Sequence, residues 1–125
     1  IYAIKKSATG SRSTEIHVLS ASSGYRSFSK QTGTALHETG SNFEFGIDRY
    51  NNLIAIKKNA TGSRTTEVHI LNARNNYQNF IRQTATVLHE THNNFNLLTD
   101  YNGNLFAIKR NSTGTRSAEV HRINQ

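Results

Sequence analysis

Residues 55–71 read AIKKNATGSRTTEVHIL, and this stretch decides the fold. Two short runs rich in β-branched residues, 53–58 and 65–71, flank a polar segment, which is the pattern of a β-hairpin. Gly62 lies in the connecting segment, where we expect it to supply the positive φ of the turn. The stretch therefore predicts two antiparallel strands.

The second of these runs also predicts which side chains share a face. Side chains alternate between the two faces of a strand. Val68 and Ile70 therefore point to one face, while Glu67, His69 and Leu71 point to the other. We expect one apolar face and one mixed face.

The same stretch occurs three times in the chain. Its Ala-Ile-Lys-Lys/Arg start lies at residues 3–6, 55–58 and 107–110, which are 52 residues apart, and the remainder follows in the same register. Self-similarity at a fixed period is typical of repeat architectures. We interpret the chain as a single repeat domain, residues 1–125, made of a partial unit 1–52, a full unit 53–104 and a partial unit 105–125.

Four short strands per unit predict the blades of a β-propeller. Besides the hairpin, residues 77–83 and 95–99 read as strands, whereas 88–92 is ambiguous. Such blades repeat around an axis, and about ten strands in one chain fall short of a closed ring. Two chains would supply about five blades and remove the open edges. We expect an all-β fold of β-propeller-like four-stranded antiparallel blades, completed by oligomerisation, with a homodimer favoured.

Composition restricts the partners. The 125 residues include 15 Lys and Arg against 8 Asp and Glu, a net charge of +7, which favours acidic partners such as nucleic acid or anionic glycans. The basic residues are spread along the chain, whereas a nucleic-acid arm concentrates them. There is no Cys, so neither disulfides nor thiolate zinc sites can stabilise the fold. No apolar stretch approaches the roughly 18–20 residues that cross a bilayer, so we expect no membrane span.

The repeated AIKKxxTGSRxTEVHIL sequence, continued by Tyr77, Phe80 and residues 88–91, resembles FG-GAP/VCBS-like propeller repeats of secreted microbial proteins. The resemblance covers the whole chain. It implies secretion and ligand binding, since related propellers are often lectins or accessory modules of extracellular enzymes. An acidic loop in such repeats can hold calcium, which needs several oxygen ligands. The matching loops at Asp48 and Asp100 keep one carboxylate each, so we expect no cofactor.

Arginine, glutamate and histidine recur once per unit on the hairpin. Glutamate and histidine two apart on a strand share a face, so the pair could receive a sugar hydroxyl or a phosphate oxygen. The alternative is a structural ladder of ion pairs and hydrogen bonds, repeated because the units repeat. The candidate ligand-binding residues of this group are Arg12, Glu15, His17, Arg64, Glu67, His69, Arg116, Glu119 and His121.

A second candidate group combines a Leu-His-Glu-Thr motif, a following asparagine and one tyrosine per unit. Loop polar residues often carry function, and a tyrosine ring can stack on a pyranose, although repeated aromatics are often core residues. The histidines offer too few ligands for a closed zinc site, so no metal site is predicted. Asn59 and Asn111 each begin a glycosylation acceptor pattern. The group comprises Tyr25, Tyr77, His37, Glu38, His89, Glu90, Asn42 and Asn94.

Equivalent sites that recur along a chain suit multivalent binding, in which weak contacts combine into avidity. A catalytic centre instead needs an acid and a base in unlike environments, which near-equivalent copies do not offer. We therefore expect a secreted, multivalent, lectin-like carbohydrate-binding protein that is not an enzyme. The alternatives are a protein that binds RNA or other nucleic acid, through its charge and its aromatic rings, and a small secreted ribonuclease built on general acid–base groups.

Overall fold

The structure is a computed structural model that describes all residues 1–125, and it confirms the predicted all-β class. Two single 3-10 turns, Ala21–Ser23 and Ala73–Asn75, are the only helical segments. No helix of the chain combines the length and apolar character that crossing a membrane requires. The ten strands are β1 (Tyr2–Lys5), β2 (Ser13–Leu19), β3 (Phe28–His37), β4 (Phe43–Ile47), β5 (Leu53–Lys57), β6 (Thr65–Leu71), β7 (Phe80–His89), β8 (Phe95–Thr99), β9 (Leu105–Lys109) and β10 (Glu119–Ile123).

The strands form three separate antiparallel sheets, none of which closes on itself. Sheet I has the order β1-β2-β3, sheet II β4-β5-β6-β7 and sheet III β10-β9-β8. The one four-stranded sheet therefore begins at Phe43, ten residues before the unit boundary drawn at Leu53, because β4 pairs with β5. In all three sheets the repeated alanine lies opposite the repeated histidine: Ala3–His17, Ala55–His69 and Ala107–His121.

Two apolar layers hold the three sheets together. β5 is buried from Leu53 to Ile56, so its alternating side chains enter both layers. Each fully buried branched side chain contributes roughly 1.5–3 kcal/mol relative to an exposed one. The layer between sheets I and II contains Ile16, Leu36, Phe43, Leu53, Ala55, Leu71 and Tyr77. The layer between sheets II and III contains Ile54, Ile56, Ile70, Phe95, Leu97, Leu105 and Ala107, with Val68 packed against it.

The first strands of sheets II and III approach each other closely. A Cβ atom added to Gly46 of β4 would lie 3.1 Å from the Cβ of Thr99 in β8, so a side chain at this position would clash. The backbone amide of Leu97 donates to the Glu44 carboxylate at 2.9 Å across the same contact. Glycine at position 46 therefore permits the two strands to lie side by side.

The hairpin turns correct one sequence prediction, because Gly62 does not adopt positive φ. Ala60 and Arg64 do so instead, with φ of 52° and 62°. The amide and hydroxyl of Thr61 both donate to Glu90, at 2.8 and 2.9 Å, which fixes the middle of the turn and places the left-handed residues on either side of it. The same pair of left-handed positions occurs in the other two hairpins, at Ala8 and Arg12 and at Ser112 and Arg116.

The third strand of the unit also differs from the prediction. The sequence predicts this strand at residues 77–83, and the structure has it at Phe80–His89. The strand therefore includes the first two residues of the segment 88–92, which the sequence left ambiguous. Asn76 and Tyr77 have φ of 50° and 61°, a left-handed conformation that excludes them from a strand. They belong instead to a tight turn, in which the Tyr77 amide donates to the Asn72 carbonyl at 2.8 Å.

Candidate functional site

The structure separates the predicted Arg-Glu-His triads into a pair and a lone arginine. Glutamate and histidine lie 3.3 Å apart in the first two copies and 3.5 Å apart in the third. The arginines lie exposed in the left-handed turn positions and form no ion pair with these glutamates. The pairs are Glu15–His17, Glu67–His69 and Glu119–His121, and the separated arginines are Arg12, Arg64 and Arg116.

The boundary between sheets I and II brings the second of these pairs together with a histidine from the neighbouring sheet. The His37 ring, at the end of β3, meets the edge of Phe43 at 6.1 Å between centroids, and Phe43 meets His69 at 6.0 Å. Lys57 lies opposite Glu67 in the register of β5 and β6, and its Nζ lies 6.0 Å from the centroid of the Phe43 ring. We call these five residues the His37 cleft: His37, Phe43, Lys57, Glu67 and His69.

The same arrangement recurs between sheets II and III. His89 lies 5.8 Å from Phe95, and Phe95 lies 6.2 Å from His121, again between ring centroids. Lys109 pairs across sheet III with Glu119. We call these residues the His89 cleft: His89, Phe95, Lys109, Glu119 and His121. The first pair, Glu15 and His17, faces no neighbouring sheet in this chain and packs against the half-exposed Phe28.

Hydrogen bonds fix the protonation pattern of the two cleft histidines that come from β3 and β7. Nδ1 of His37 lies 2.7 Å from the Glu38 carbonyl, and Nδ1 of His89 lies 2.7 Å from the Glu90 carbonyl. A carbonyl only accepts hydrogen bonds, so Nδ1 carries the proton in each ring. When the ring carries this single proton, its Nε2 atom is available as a hydrogen-bond acceptor.

Glu38 and Glu90 have a structural role in this geometry. The Glu38 carboxylate accepts from the amide and the hydroxyl of Thr9 at 2.6 and 2.8 Å, and Glu90 accepts from Thr61 in the same way. The backbone amide of each threonine is the largest influence that lowers the pKa of the glutamate it contacts. Both carboxylates therefore hold the hairpin turn of their own sheet.

Burial and hydrogen bonding set the charges in the His37 cleft. Burial is the largest influence on Glu67 and raises its pKa, but hydrogen bonds from Ser63 and His69 together outweigh it, and the net pKa is lowered. Burial lowers the pKa of His69 below its ordinary value of 6.5 despite the adjacent Glu67. The cleft therefore contains an ionised glutamate beside a neutral histidine at pH 7.

The lowered pKa of His69 predicts a loss of stability in mild acid. The unfolded chain takes up a proton below about 6.5, whereas folded His69 resists it, so the free energy of unfolding decreases as the pH falls through this range. Urea unfolding at a series of pH values measures the effect. His69→Gln is expected to remove this decrease, and His92→Gln, at an exposed position, is expected to keep it. Stability that rises on acidification from pH 7 to 5 would contradict the assignment.

A polar cavity of about 510 Å³ adjoins the His89 cleft. Its floor includes Thr91, which is 2% exposed and whose hydroxyl has no hydrogen-bond partner. Asn94 lines this cavity, whereas the matching Asn42 donates to the carbonyl of Asn59 at 3.2 Å. The cavity is lined entirely by polar residues: His89, Glu90, Thr91, His92, Asn93, Asn94 and Asn111.

The two candidate tyrosines occupy different environments. Tyr25 is 50% exposed, so part of the residue is open to solvent. Tyr77 is 2% exposed and packs in the layer between sheets I and II, with its hydroxyl donating to the Asn51 carbonyl at 2.9 Å. Its ring is covered, so a sugar has no stacking surface at Tyr77.

The aspartate loops close on themselves. Asp48 accepts from the amides of Tyr50 and Asn52 and from the Asn52 side chain, at 2.8, 3.0 and 3.0 Å. Asp100 makes the equivalent three contacts with Asn102 and Asn104, each at 2.9 Å. No group of three or more histidine, aspartate or glutamate side chains is placed to hold a metal ion. These carboxylates stabilise their own turns.

Sequence reasoning did not include Lys57 or Lys109 among the candidates, and it favoured a core role for Phe43 and Phe95 over a ligand contact. The alternation of side chains along a strand could have indicated Lys57, because it places Lys57 and His69 on the same face of sheet II. No protein-family model matches the chain, and no curated protein or solved structure matches it either. Its function is therefore argued from the geometry of the two clefts.

Proposed function

We propose that the protein is a multivalent carbohydrate-binding protein with its sites at the His37 and His89 clefts. The observation that carries the proposal is the recurrence of the same five groups at both sheet boundaries, with matching ring distances. Each cleft takes one histidine from one sheet and a Glu-His pair from the next. Equivalent sites at a fixed spacing suit a ligand that itself repeats, because weak single contacts then combine into avidity.

The chemistry of the clefts suits sugar hydroxyls, which both donate and accept hydrogen bonds. Nε2 of His37 or His89 accepts a hydrogen bond from one hydroxyl, the glutamate of the same cleft accepts one from a second hydroxyl, and the lysine of the cleft donates one to a third oxygen. The polar cavity beside His89 adds the side chains of Asn93, Asn94 and Asn111. The His89 cleft adjoins a cavity, and a few polar groups at a concave surface are the usual composition of a site that fixes the orientation of a polar ligand.

The proposal includes the β-propeller-like arrangement, secretion and a homo-oligomer, with a dimer favoured. Three sheets that stack through two apolar layers, with their first strands close together at Gly46, support a blade-like arrangement. β1 and β10 each have one free edge that a second chain could pair with. Association would multiply the number of clefts presented to one glycan surface.

A glycan array on the native protein, followed by calorimetric titration with the best sugar, tests this function. We expect two sites per chain. His37→Ala and His89→Ala should each weaken one site roughly 5- to 10-fold, since each removes a hydrogen bond of about 1 kcal/mol. The double variant should weaken both sites to the same extent, and Tyr101→Ala, at an exposed position outside the clefts, should leave both affinities unchanged. Sugar binding that is unchanged in the double variant would refute this location.

Nucleic acid is the second candidate ligand, and the lysines of the clefts are the observation that favours it. Nζ of Lys57 lies 6.0 Å from the centroid of the Phe43 ring, Lys109 is the cross-strand partner of Phe95, and the net charge is +7. Phosphate binding releases counterions, so RNA affinity would fall steeply between low and moderate salt, whereas affinity for a neutral sugar would not. RNA cleavage abolished by His37→Ala or His89→Ala would instead favour a ribonuclease.

A further inference from the structure

Each hairpin turn places one arginine outside the clefts. Arg12, Arg64 and Arg116 have φ of 62°, 62° and 61°, and all three are exposed. Their guanidinium groups take part in none of the ion pairs or cation–π contacts of the chain. Glycine would hold this left-handed position with less strain than a residue with a Cβ atom. The fold therefore does not explain why the three turns have arginine, and we call these residues the arginine row.

A line of backbone hydrogen bonds joins the three turns at one end of the sheets. The Lys6 carbonyl in the first turn accepts from the Thr39 amide at 2.9 Å, and the Asn42 carbonyl of the same loop accepts from the Lys58 amide in the second turn at 2.9 Å. The same two bonds, at 3.0 Å each, join the second turn to the third. The three arginines therefore lie in sequence along this end, separated by the roughly 10 Å at which sheets stack.

The charge at this end of the molecule is positive at the surface. Lys5, Lys6 and Arg110 are exposed there beside the row. Each carboxylate at this end accepts a hydrogen bond from a neighbouring residue, and only that of Glu38 belongs to an exposed residue. These carboxylates are Glu15, Glu38, Glu44, Glu67, Glu90 and Glu119. An anionic ligand would therefore contact the cations before the carboxylates.

The spacing of the row favours a polymer whose charges are far apart. A nucleic acid carries one phosphate per roughly 3.4 Å of each strand, so the row would contact only about one phosphate in three. A polysaccharide with one acidic group on every second sugar has a wider spacing. No aromatic ring contacts the three guanidinium groups, so the row also lacks a surface on which bases stack.

We propose that the arginine row binds a linear anionic polysaccharide that crosses the three turns. Each guanidinium binds one acidic group of the polysaccharide, a carboxylate or a sulfate, and its planar donors suit a bidentate contact. The three contacts are individually weak and combine because they act on one chain. The row shares no residue with the histidine clefts, so the inference does not depend on the sugar sites proposed there.

Chondroitin and chondroitin sulfate are the probes, because they share a sugar chain with a carboxylate on every second sugar and differ in sulfate. Fluorescence anisotropy of labelled oligosaccharides at low salt measures the affinity. Oligosaccharides that span all three turns, roughly 20 Å, should bind at least roughly 10-fold tighter than the disaccharide. Binding of both polymers would show that the carboxylate is sufficient, whereas binding of the sulfated polymer alone would assign the sulfate.

Substitutions in the row should weaken binding in proportion to their number. Arg12→Ala, Arg64→Ala and Arg116→Ala should each reduce the affinity roughly 3- to 5-fold, the range for an exposed ionic contact. The triple variant should lose roughly 30- to 100-fold, because separated sites contribute additively to the free energy. Alanine keeps the Cβ atom, so the turns are preserved, and an unchanged melting temperature checks this.

A charge-matched variant distinguishes the row from the net charge of the protein. Arg26→Ala, Arg74→Ala and Arg82→Ala together remove three positive charges from exposed positions outside the hairpin turns, and this variant should change the affinity less than roughly 2-fold. The double variant His37→Ala/His89→Ala should bind both polymers normally, which separates this proposal from that of the clefts.

Three results would overturn the proposal. Neither polysaccharide binds at low salt, or the two triple variants lose the same affinity, so that only net charge matters. Alternatively, single-stranded RNA of the same length binds more tightly than both polysaccharides and loses affinity in the row variant, which would assign the row to nucleic acid.

Discussion

Tyr77→Ala is expected to lower the free energy of unfolding by about 3–5 kcal/mol, the range for removing a large buried aromatic side chain. Tyr77 is 2% exposed, fills the layer between sheets I and II, and donates its hydroxyl to Asn51. Natural domains have a stability of only about 5–15 kcal/mol, so this variant would be close to unfolding. Urea denaturation monitored by circular dichroism measures the change.

The same substitution at the equivalent residue is the control. Tyr25 lies in the same kind of turn but is 50% exposed, so Tyr25→Ala should change stability by no more than about 0.5 kcal/mol. Tyr77→Phe should cost about 0.5–1.5 kcal/mol, because it removes only the hydroxyl bond. Equal losses for Tyr25→Ala and Tyr77→Ala would contradict the packing of sheet I against sheet II.

Asp48→Ala is expected to lower the free energy of unfolding by about 2–4 kcal/mol, since hydrogen bonds to a charged group are worth about 1.5–3 kcal/mol and do not add fully. The carboxylate is 8% exposed and accepts three hydrogen bonds. Alanine leaves the amide and the side chain of Asn52 without this partner. Thermal and urea unfolding of the variant measure the loss.

Asp100→Ala is the matched variant, because Asp100 makes the same three bonds with a side chain that is 31% exposed. Water can replace its contacts, so the loss should be smaller than at Asp48. Calcium should leave the melting temperature of the native protein unchanged, because the carboxylate oxygens already bind their own loops. A calcium-dependent rise that Asp48→Ala abolishes would show that the loop binds the ion.

The sequence was sufficient for the two hairpin strands and for the faces of β6, whereas it misplaced the third strand of the unit. Strand alternation follows from backbone geometry alone, so Val68 and Ile70 enter one layer and Leu71 the other, as predicted. The limits of the sheets were harder to predict. A 52-residue period defines the length of a unit but not its first strand, and only the pairing of Phe43–Ile47 with Leu53–Lys57 shows where sheet II begins.

The composition of the clefts could be predicted only in part. His69 and Glu67 share a strand, so their proximity follows from the local period. His37 belongs to another sheet. The side-chain period of a strand does not predict which sheets stack, or which residues contact each other across the layer between them. Tyr25 and Tyr77 show the same limit, since equivalent turns place one ring in solvent and the other in the core.

The left-handed residues of the hairpin turns affect how the protein could be engineered. Ala8, Ala60 and Ser112 hold a conformation that costs a residue with a Cβ atom roughly 1–2 kcal/mol and costs glycine little. Each lies on a separate hairpin, and independent sites usually contribute additively. Replacing these three turn residues with glycine would therefore relieve backbone strain in the surface turns. These substitutions would leave the histidine clefts intact.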